Sequence, residues 1–234
     1  MKNYEERLKN GEKLTDKELS IYYNYKYPRE RIKYWGRGLP NNAGRIICDV
    51  SNFIMPDDDM VKDIIQELDI KISDSDHDAK AVKIQNWILE NVHYVYDQTQ
   101  HGYIEHWQFP YETIQLGTGD CEDGAILMAS LMIAAGIPRW RVRVAGGLVA
   151  TGQPTAPTGG HGWTCYLRQS DQKWIVLDWC YLPDTSPITE KKTLSENDNY
   201  ITTWFSWNDK WSWGKEAFEF ANIKQIVETK TVNT

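Results

Sequence analysis

The sequence is poor in cysteine, in basic residues and in long apolar runs. Its four cysteines, Cys48, Cys121, Cys165 and Cys180, include no C-x-x-C pair and are too few for a disulfide framework, which excludes a structural zinc site or a dithiol redox motif. With 26 basic against 33 acidic residues, the chain has no basic excess to displace counterions from nucleic acid or an anionic membrane. We therefore expect neither a nucleic-acid partner nor a membrane partner.

No stretch of the sequence has the apolar character of a signal peptide or of a membrane span. We therefore predict a protein that is cytoplasmic or assembled into a larger particle. Tryptophan and tyrosine are abundant, with 11 and 13 among 234 residues, which indicates a folded chain with much aromatic surface to bury. A chain of this length favours one well-cored domain with extensions.

Composition divides the chain into three parts. Residues 1–60 are charged and tyrosine-rich and are predicted to be a largely irregular extension that packs on the core, with one helix capped by Thr15 and Glu18. Residues 61–200 are predicted to form the catalytic core. Residues 201–234 begin with a dense tryptophan patch, which we expect to pack across the back of the core or to meet a protein partner.

Helix signals come first in the core and strand signals follow. Acidic caps and apolar spacing predict two helices, over residues 56–68 and 76–91. Apolar, β-rich runs predict three later strands, over residues 140–149, 161–167 and 174–179. We therefore expect an α+β fold in which helices pack on an antiparallel sheet.

Two segments next to these strands carry expectations of their own. Residues 152–160 contain two prolines and three glycines, which predicts a flexible connection suited to a lid or a binding loop. Residues 139–143 alternate arginine with apolar residues, which predicts a strand with one solvated side.

Cys121 lies in the segment Gly119–Ala125, where a glycine-broken acidic turn runs into an apolar, alanine-rich stretch. This pattern predicts a thiol at the N-terminus of a buried helix. The first-turn N–H groups of a helix have no intrahelical partner and the dipole is positive there, which favours a thiolate and can hold an oxyanion. Cys121 is therefore the candidate nucleophile.

A predicted hairpin brings a histidine and a carboxylate onto one face of the sheet. If the hairpin is centred between residues 170 and 171, Trp163 lies opposite Asp178, and Asp178 is then diagonal to His161. A slip of one residue would place the two side chains on opposite faces. Together with Cys121 they would supply a thiol, an imidazole base and an orienting carboxylate.

This spacing resembles the transglutaminase-like superfamily of papain-type thiol enzymes, in which the nucleophilic cysteine begins a helix and the histidine and aspartate follow on neighbouring strands. The segments that carry the resemblance are Gly119–Ala125, Ala134–Pro138, Gly160–Trp163 and Val176–Asp178. With Trp107-x-x-Pro110-x-Glu112-Thr113 upstream, the sequence looks most like the bacterial transglutaminase-like cysteine peptidases. The resemblance implies a papain-like α+β core in which Cys121 is the nucleophile, His161 the general base and acid, and Asp178 the orienting carboxylate.

The activity that the resemblance implies is acyl transfer at a peptide or side-chain amide of a protein or peptide substrate. Hydrolysis of the thioester would make the protein a cysteine peptidase or amidase, whereas resolution by a lysine amine would make it a cross-linking transglutaminase. A third interpretation is a structural or assembly protein, such as a virion component, that reuses the fold. None of these activities requires a cofactor.

Calcium is a candidate ligand all the same. Some peptidases of this type bind calcium through acidic residues that flank the nucleophile, and these correspond to Asp120, Glu122 and Asp123. A bound cation would cancel the repulsion that three carboxylates exert on a Cys121 thiolate. The same carboxylates also fit a helix N-cap pattern, so capping and calcium binding both stay open.

The oxyanion site is expected to use the backbone N–H of Cys121 and one further donor. Candidates for the second donor are the indole N–H of Trp107, which is the habit of transglutaminases, and the side-chain amide of Gln108. The alternative for Trp107 is a packed aromatic ring in a tryptophan-rich protein.

Overall fold

A computed structural model describes residues 2–38 and 45–214 of the chain. The helices within these ranges are α1 (Lys2–Lys9), α2 (Asp16–Tyr25), α3 (Asp59–Glu67), α4 (His77–Asn91), α5 (Asp97–Gln100), α6 (Pro110–Leu116) and α7 (Cys121–Ala134). The strands are β1 (Lys33–Gly38), β2 (Arg45–Asp49), β3 (His93–Tyr94), β4 (Thr118–Gly119), β5 (Val142–Gln153), β6 (Ala156–Leu167), β7 (Trp174–Leu177), β8 (Tyr200–Trp207) and β9 (Ser212–Gly214). Helices and an antiparallel sheet therefore build an α+β fold, as the sequence predicts.

The predicted helix near the N-terminus is confirmed, and the capping residues are the expected ones. Thr15 accepts the backbone N–H of Glu18 at 3.3 Å, and the Glu18 carboxylate accepts the backbone N–H of Thr15 at 2.8 Å. The rest of this region is more regular than expected, because α1 and the β1–β2 hairpin also form here. The hairpin contacts a segment distant in sequence, where Tyr34 stacks on Trp107, and a local sequence pattern does not show such a contact.

The two predicted core helices are α3 and α4, and aspartates cap both. Asp58 accepts the N–H of Met60 at 3.0 Å, and Asp76 accepts the N–H of Ala79 at 2.9 Å. Both helices pack against α7, which is apolar on nearly every side and is buried along most of its length. α7 is therefore the central element of the larger apolar core.

Five strands form the main sheet in the order β7-β6-β5-β8-β9, and all neighbours are antiparallel. One face of this sheet packs on α7, where the Thr164 hydroxyl donates to the carbonyl of Ala125 at 3.1 Å. A second apolar cluster on the sheet includes Trp163 and Cys165 together with Leu19 and Tyr23 of α2.

The predicted register of the β6–β7 hairpin is confirmed. Thr164 pairs with Leu177 and Leu167 pairs with Trp174, which centres the hairpin between residues 170 and 171. Continuing the same register by one residue puts Trp163 opposite Asp178.

The prediction of a flexible connection over residues 152–160 is wrong. β5 continues to Gln153 and β6 begins at Ala156, so a tight turn joins two long paired strands. Gly159 pairs with Val149, and Gly160 pairs with Leu148. These glycines are therefore strand residues. A prediction from composition assigns them to a loop because it does not take the pairing of β6 with β5 into account.

The prediction of a strand with one solvated side over residues 139–143 is also wrong, because Arg139–Arg141 form a 3-10 helix and β5 begins only at Val142. Arg141 and Arg143 are only 1% and 2% exposed. The Arg141 guanidinium contacts Asp16 at 2.5 Å and donates to the carbonyl of Leu167, and Arg143 lies 3.9 Å from the ring centre of Trp213. Helix α2 and strand β9 supply these partners, so elements distant in sequence cover both arginines.

Most aromatic residues between positions 200 and 214 enter the main sheet. β8 pairs with β5, and Trp207 and Trp213 are buried, whereas Trp204 is 46% exposed. The remainder of this segment, residues 215–234, lies outside the described residues, so its predicted protein partner stays a prediction. In the described part of the chain, every helix is too short or too polar to cross a lipid bilayer.

Candidate active site

Cys121 is the first residue of α7. α6 ends at Gly117, whose φ of +63° suits glycine, and the short strand β4 then leads into the helix. Gly119 is required here because a Cβ at this position would lie 2.6 Å from the Cβ of Asp123. The turn therefore presents the thiol at the dipole-positive end of a buried helix.

His161 and Asp178 form a buried pair on the neighbouring strands. The imidazole Nε2 lies 2.7 Å from Oδ2 of Asp178, and the two side chains are 6% and 1% exposed. The backbone N–H groups of Cys180 and Tyr181 donate to Oδ1 of the same carboxylate. Burial acts to raise the pKa of Asp178, but the hydrogen bonds, that from His161 foremost, hold it below its ordinary value.

Gly162 joins the histidine strand to the nucleophile helix. Its backbone N–H lowers the pKa of the Cys121 thiol, which places it close to that side chain. A Cβ on Gly162 would lie 3.0 Å from Cα and Cβ of Glu122, so a side chain at this position would push the strand away from the helix. The structure thus brings the Cys121 end of α7 against the residue that follows His161.

The environment of the Cys121 thiol opposes ionisation. Its Sγ donates to Oε2 of Glu122 at 3.1 Å. Burial, followed by the charges of Glu122 and Asp120, raises the pKa of Cys121 well above its ordinary value, while the Gly162 N–H lowers it. Burial and the flanking carboxylates therefore both oppose a Cys121 thiolate.

The acidic turn is part of a larger cluster of carboxylates. Oxygens of Asp97, Asp120 and Asp123 lie within 4.8 Å of one another, and so do oxygens of Asp97, Glu105 and Glu122. The sequence analysis identified Asp120, Glu122 and Asp123 but missed Asp97 and Glu105, which lie upstream of α6. No local pattern marks these two residues, because the fold alone brings them to α7.

Burial and mutual repulsion make these carboxyl groups hard to ionise. Burial, followed by the charge of Asp120, raises the pKa of Asp97 to about 7. The pKa values of Glu122 and Asp123 lie well above their ordinary range, again through burial and then the charge of Asp120. The carboxylates also cap α7 in part, because the Asp123 carboxylate accepts the backbone N–H of Asp120 at 3.1 Å.

The donor set of this cluster fits a hard divalent cation. Buried carboxylate oxygens are typical ligands of calcium. Oδ1 of Asp120 and Oε1 of Glu122 are buried and have no hydrogen-bond partner among the described residues, so capping does not use all of the oxygens.

The two candidate oxyanion donors are engaged with other groups. The Trp107 indole N–H donates to Glu105 at 2.5 Å, and its ring stacks on Trp207 in the core. The Gln108 amide donates to Asp123 at 2.8 Å and to the carbonyl of Thr118 at 3.3 Å. These contacts weigh against an oxyanion role for either side chain, and the assignment stays a prediction.

Two further aromatic residues at the site were not found from the sequence. The Trp179 indole N–H donates to the Cys121 carbonyl at 3.0 Å, and its ring fills the space over Gly124, where a Cβ would lie 2.3 Å from Cε2 of the indole. The Tyr200 hydroxyl donates to Oδ2 of Asp178 at 2.7 Å. Trp179 directly follows Asp178 in the chain, whereas Tyr200 lies on a strand without a motif.

A thiol at a helix N-terminus, next to strands that carry a paired histidine and aspartate, is the arrangement of a papain-like, transglutaminase-type fold. Residues 65–179 match the family model described as the Transglutaminase-like superfamily core. This stretch therefore resembles a domain of the transglutaminase-like superfamily. Among curated proteins, no sequence matches the chain.

Solved structures of LapG from Legionella pneumophila are similar in fold. One has 16% sequence identity and a TM-score of 0.52, and the match covers 76% of this chain and 95% of LapG. An EGTA-treated form has 17% identity and a TM-score of 0.50, with coverages of 74% and 94%. A calcium-bound form has 18% identity and a TM-score of 0.47, with coverages of 66% and 80%.

Proposed function

We propose that this protein is a thiol-dependent acyl-transfer enzyme that hydrolyses peptide or side-chain amide bonds of a protein or peptide substrate. The observation that carries the proposal is the 2.7 Å contact between His161 Nε2 and the Asp178 carboxylate, on a strand whose next residue, Gly162, packs against the Cys121 end of α7. A buried, hydrogen-bonded imidazole beside a helix-terminal thiol is the arrangement of nucleophilic catalysis.

The proposed reaction has two stages. Asp178 fixes the tautomer by accepting the Nε2 proton of His161, which leaves Nδ1 to take the proton of the Cys121 thiol. The sulfur attacks the carbonyl carbon, the C–N bond breaks, and His161 returns the proton to the leaving amine. Water then attacks the thioester, with His161 as the base, which releases the acid and restores the thiol.

We also propose that the acidic cluster binds calcium through Asp97, Asp120, Glu122 and Asp123, with Glu105 at its exposed edge. The proposal rests on the donor set and on the buried unpartnered oxygens of Asp120 and Glu122. The chemistry that calcium supplies is neutralisation of the negative field beside Cys121. The Glu122 carboxylate would then no longer oppose the thiolate, which makes the thiol easier to activate.

The reactivity of the Cys121 thiol tests the enzymatic proposal. We expect iodoacetamide to alkylate Cys121 near neutral pH, with calcium present, faster than it alkylates free cysteine, and we expect His161→Ala to abolish the excess. Peptide mass spectrometry separates Cys121 from Cys48, Cys165 and Cys180. A rate equal to that of free cysteine, unaffected by His161→Ala, would contradict the proposal and favour a structural or assembly protein.

A second assay separates hydrolysis from cross-linking. A peptide substrate is incubated with and without a primary amine in excess, and the products are identified by mass. Hydrolysis predicts the free acid in both reactions, whereas a transglutaminase would give the amine adduct. We expect the free acid.

A further inference from the structure

The Asp178 carboxylate receives a hydrogen bond from a residue outside the segment that matches the family model. Tyr200 is the first residue of β8, and its hydroxyl donates to Oδ2 of Asp178 at 2.7 Å. His161 Nε2 contacts the same oxygen at the same distance. One carboxylate oxygen is thus shared between the proposed general base and a tyrosine of another strand.

The surroundings of Tyr200 fix its hydroxyl in place. The residue is 6% exposed, and its ring packs edge-on against Trp163 with ring centres 5.1 Å apart. Trp163 in turn stacks under the His161 imidazole, whose ring centre is 6.0 Å away. The same aromatic cluster therefore supports the tyrosine and the histidine, and a buried ring has little freedom to carry its hydroxyl elsewhere.

The two carboxylate oxygens of Asp178 are held differently. Oδ1 is held by the backbone N–H groups of Cys180 and Tyr181, which follow it directly in the chain. The donors to Oδ2, His161 and Tyr200, lie farther away along the chain. In the proposed reaction His161 gains and loses protons, whereas the Tyr200 hydroxyl keeps its proton throughout. Without this hydroxyl, the imidazole itself would have to orient the oxygen that is meant to orient it.

We propose that Tyr200 is a positioning residue of this site, whose hydroxyl holds Asp178 Oδ2 in the orientation that receives the His161 imidazole. This inference rests on the proposed thiol chemistry. Tyr200 touches neither the thiol nor the substrate in the proposed reaction, so its effect must pass through Asp178. The residues that support the proposed site therefore extend beyond the segment that matches the family model, to the first residue of β8.

The chain offers a closely matched control. Tyr166 is a buried tyrosine on β6, and its hydroxyl donates to Oδ1 of Asp78 at 2.8 Å. The Asp78 carboxylate also accepts backbone N–H groups, from Gln169 and Ser170, just as Asp178 does. Tyr166→Phe therefore removes a hydroxyl from a similar but only partly buried tyrosine–aspartate contact, away from the proposed catalytic residues.

The test is the rate at which iodoacetamide alkylates Cys121, measured by peptide mass spectrometry, with a thermal melt of each variant. We expect Tyr200→Phe to lower the rate about tenfold and Tyr166→Phe to leave it within about twofold. A factor of ten corresponds to about 1.4 kcal/mol, at the lower end for a hydrogen bond to a charged group. In an Asp178→Ala background, Tyr200→Phe should cause no further loss.

A proton NMR signal of the His161 Nε2–H group supplies a second readout that does not depend on the thiol. Its position and exchange should change in Tyr200→Phe and stay unchanged in Tyr166→Phe. The inference is overturned if Tyr200→Phe alkylates at the wild-type rate while Asp178→Ala is slow, or if the two losses add in the double variant. If His161→Ala and Asp178→Ala both leave the rate unchanged, the proposed function itself fails.

Discussion

The replacement Asp97→Asn should have opposite effects on stability with and without calcium. Asp97 is buried, and its pKa is raised to about 7 from an ordinary value of 3.8. The folded protein therefore holds a proton that the unfolded chain loses, and stability falls as the pH rises from about 4 to about 7. At about 1.4 kcal/mol per pKa unit, the full penalty above pH 7 reaches about 4 kcal/mol.

Asparagine removes this charge and keeps an oxygen to accept the backbone N–H of His106. In EGTA at pH 8, Asp97→Asn should therefore melt higher than the wild type, by about 2–4 °C for each kcal/mol recovered. At pH 4 the difference should shrink to less than about 1 kcal/mol, because the carboxyl group is then neutral in the folded protein and close to its ordinary pKa of 3.8 in the unfolded chain. With millimolar calcium at pH 8 the order should reverse, because the variant has lost a ligand and gains less from binding.

Thermal melts in EGTA and in calcium, at pH 4 and pH 8, give the four comparisons. Asp58→Asn is the control, because Asp58 caps α3 outside the cluster and asparagine caps a helix as well as aspartate does. Two results would refute the reasoning. One is that Asp97→Asn melts lower than the wild type in EGTA, by the same amount at pH 8 as at pH 4. The other is that calcium raises the melting temperature of Asp97→Asn and of the wild type equally.

Two other replacements test the packing around the site. Gly162→Ala should slow Cys121 alkylation by about tenfold or more, because the new Cβ would lie 3.0 Å from Glu122. Gly160→Ala is the control, because its Cβ would meet Trp204 at an ordinary 3.5 Å and should change the alkylation rate little. Equal rates in the two variants would contradict this prediction. Arg141→Ala should lower the free energy of unfolding in urea by about 2 kcal/mol or more, since it removes a buried side chain that packs on Trp140 and donates to the Leu167 carbonyl, and leaves its space unfilled. Arg31→Ala, which breaks an exposed pair with Asp49, should cost less than about 1 kcal/mol, and a similar loss in both would show that the burial of Arg141 contributes little.

Local chemistry allowed the sequence to predict the nucleophile helix and the hairpin. A glycine-broken acidic turn before an apolar run is a start signal for a buried helix. Cys121 is the first residue of α7, as this signal predicts. The hairpin register followed from a short turn between two β-rich runs, since side chains alternate along a strand with a period of two. That register is what allows Asp178 to reach His161.

Composition failed where partners come from far along the chain. The composition of residues 152–160 predicts a loop, but in the fold most of them lie in paired strands β5 and β6. Arg141 is predicted to be solvated, but α2 covers it. Propensity describes a segment by itself, whereas pairing and burial depend on what the fold places against it.

The sequence by itself determined which residues could form a thiol, imidazole and carboxylate set, and which three carboxylates lie next to Cys121 in the chain. Only the tertiary structure decided what surrounds that set. It added Asp97 and Glu105 to the acidic cluster, engaged Trp107 and Gln108 elsewhere, and brought Tyr200 to Asp178. The physical reason is that short-range patterns fix helix ends and strand faces, whereas contacts between distant segments appear only when the chain packs.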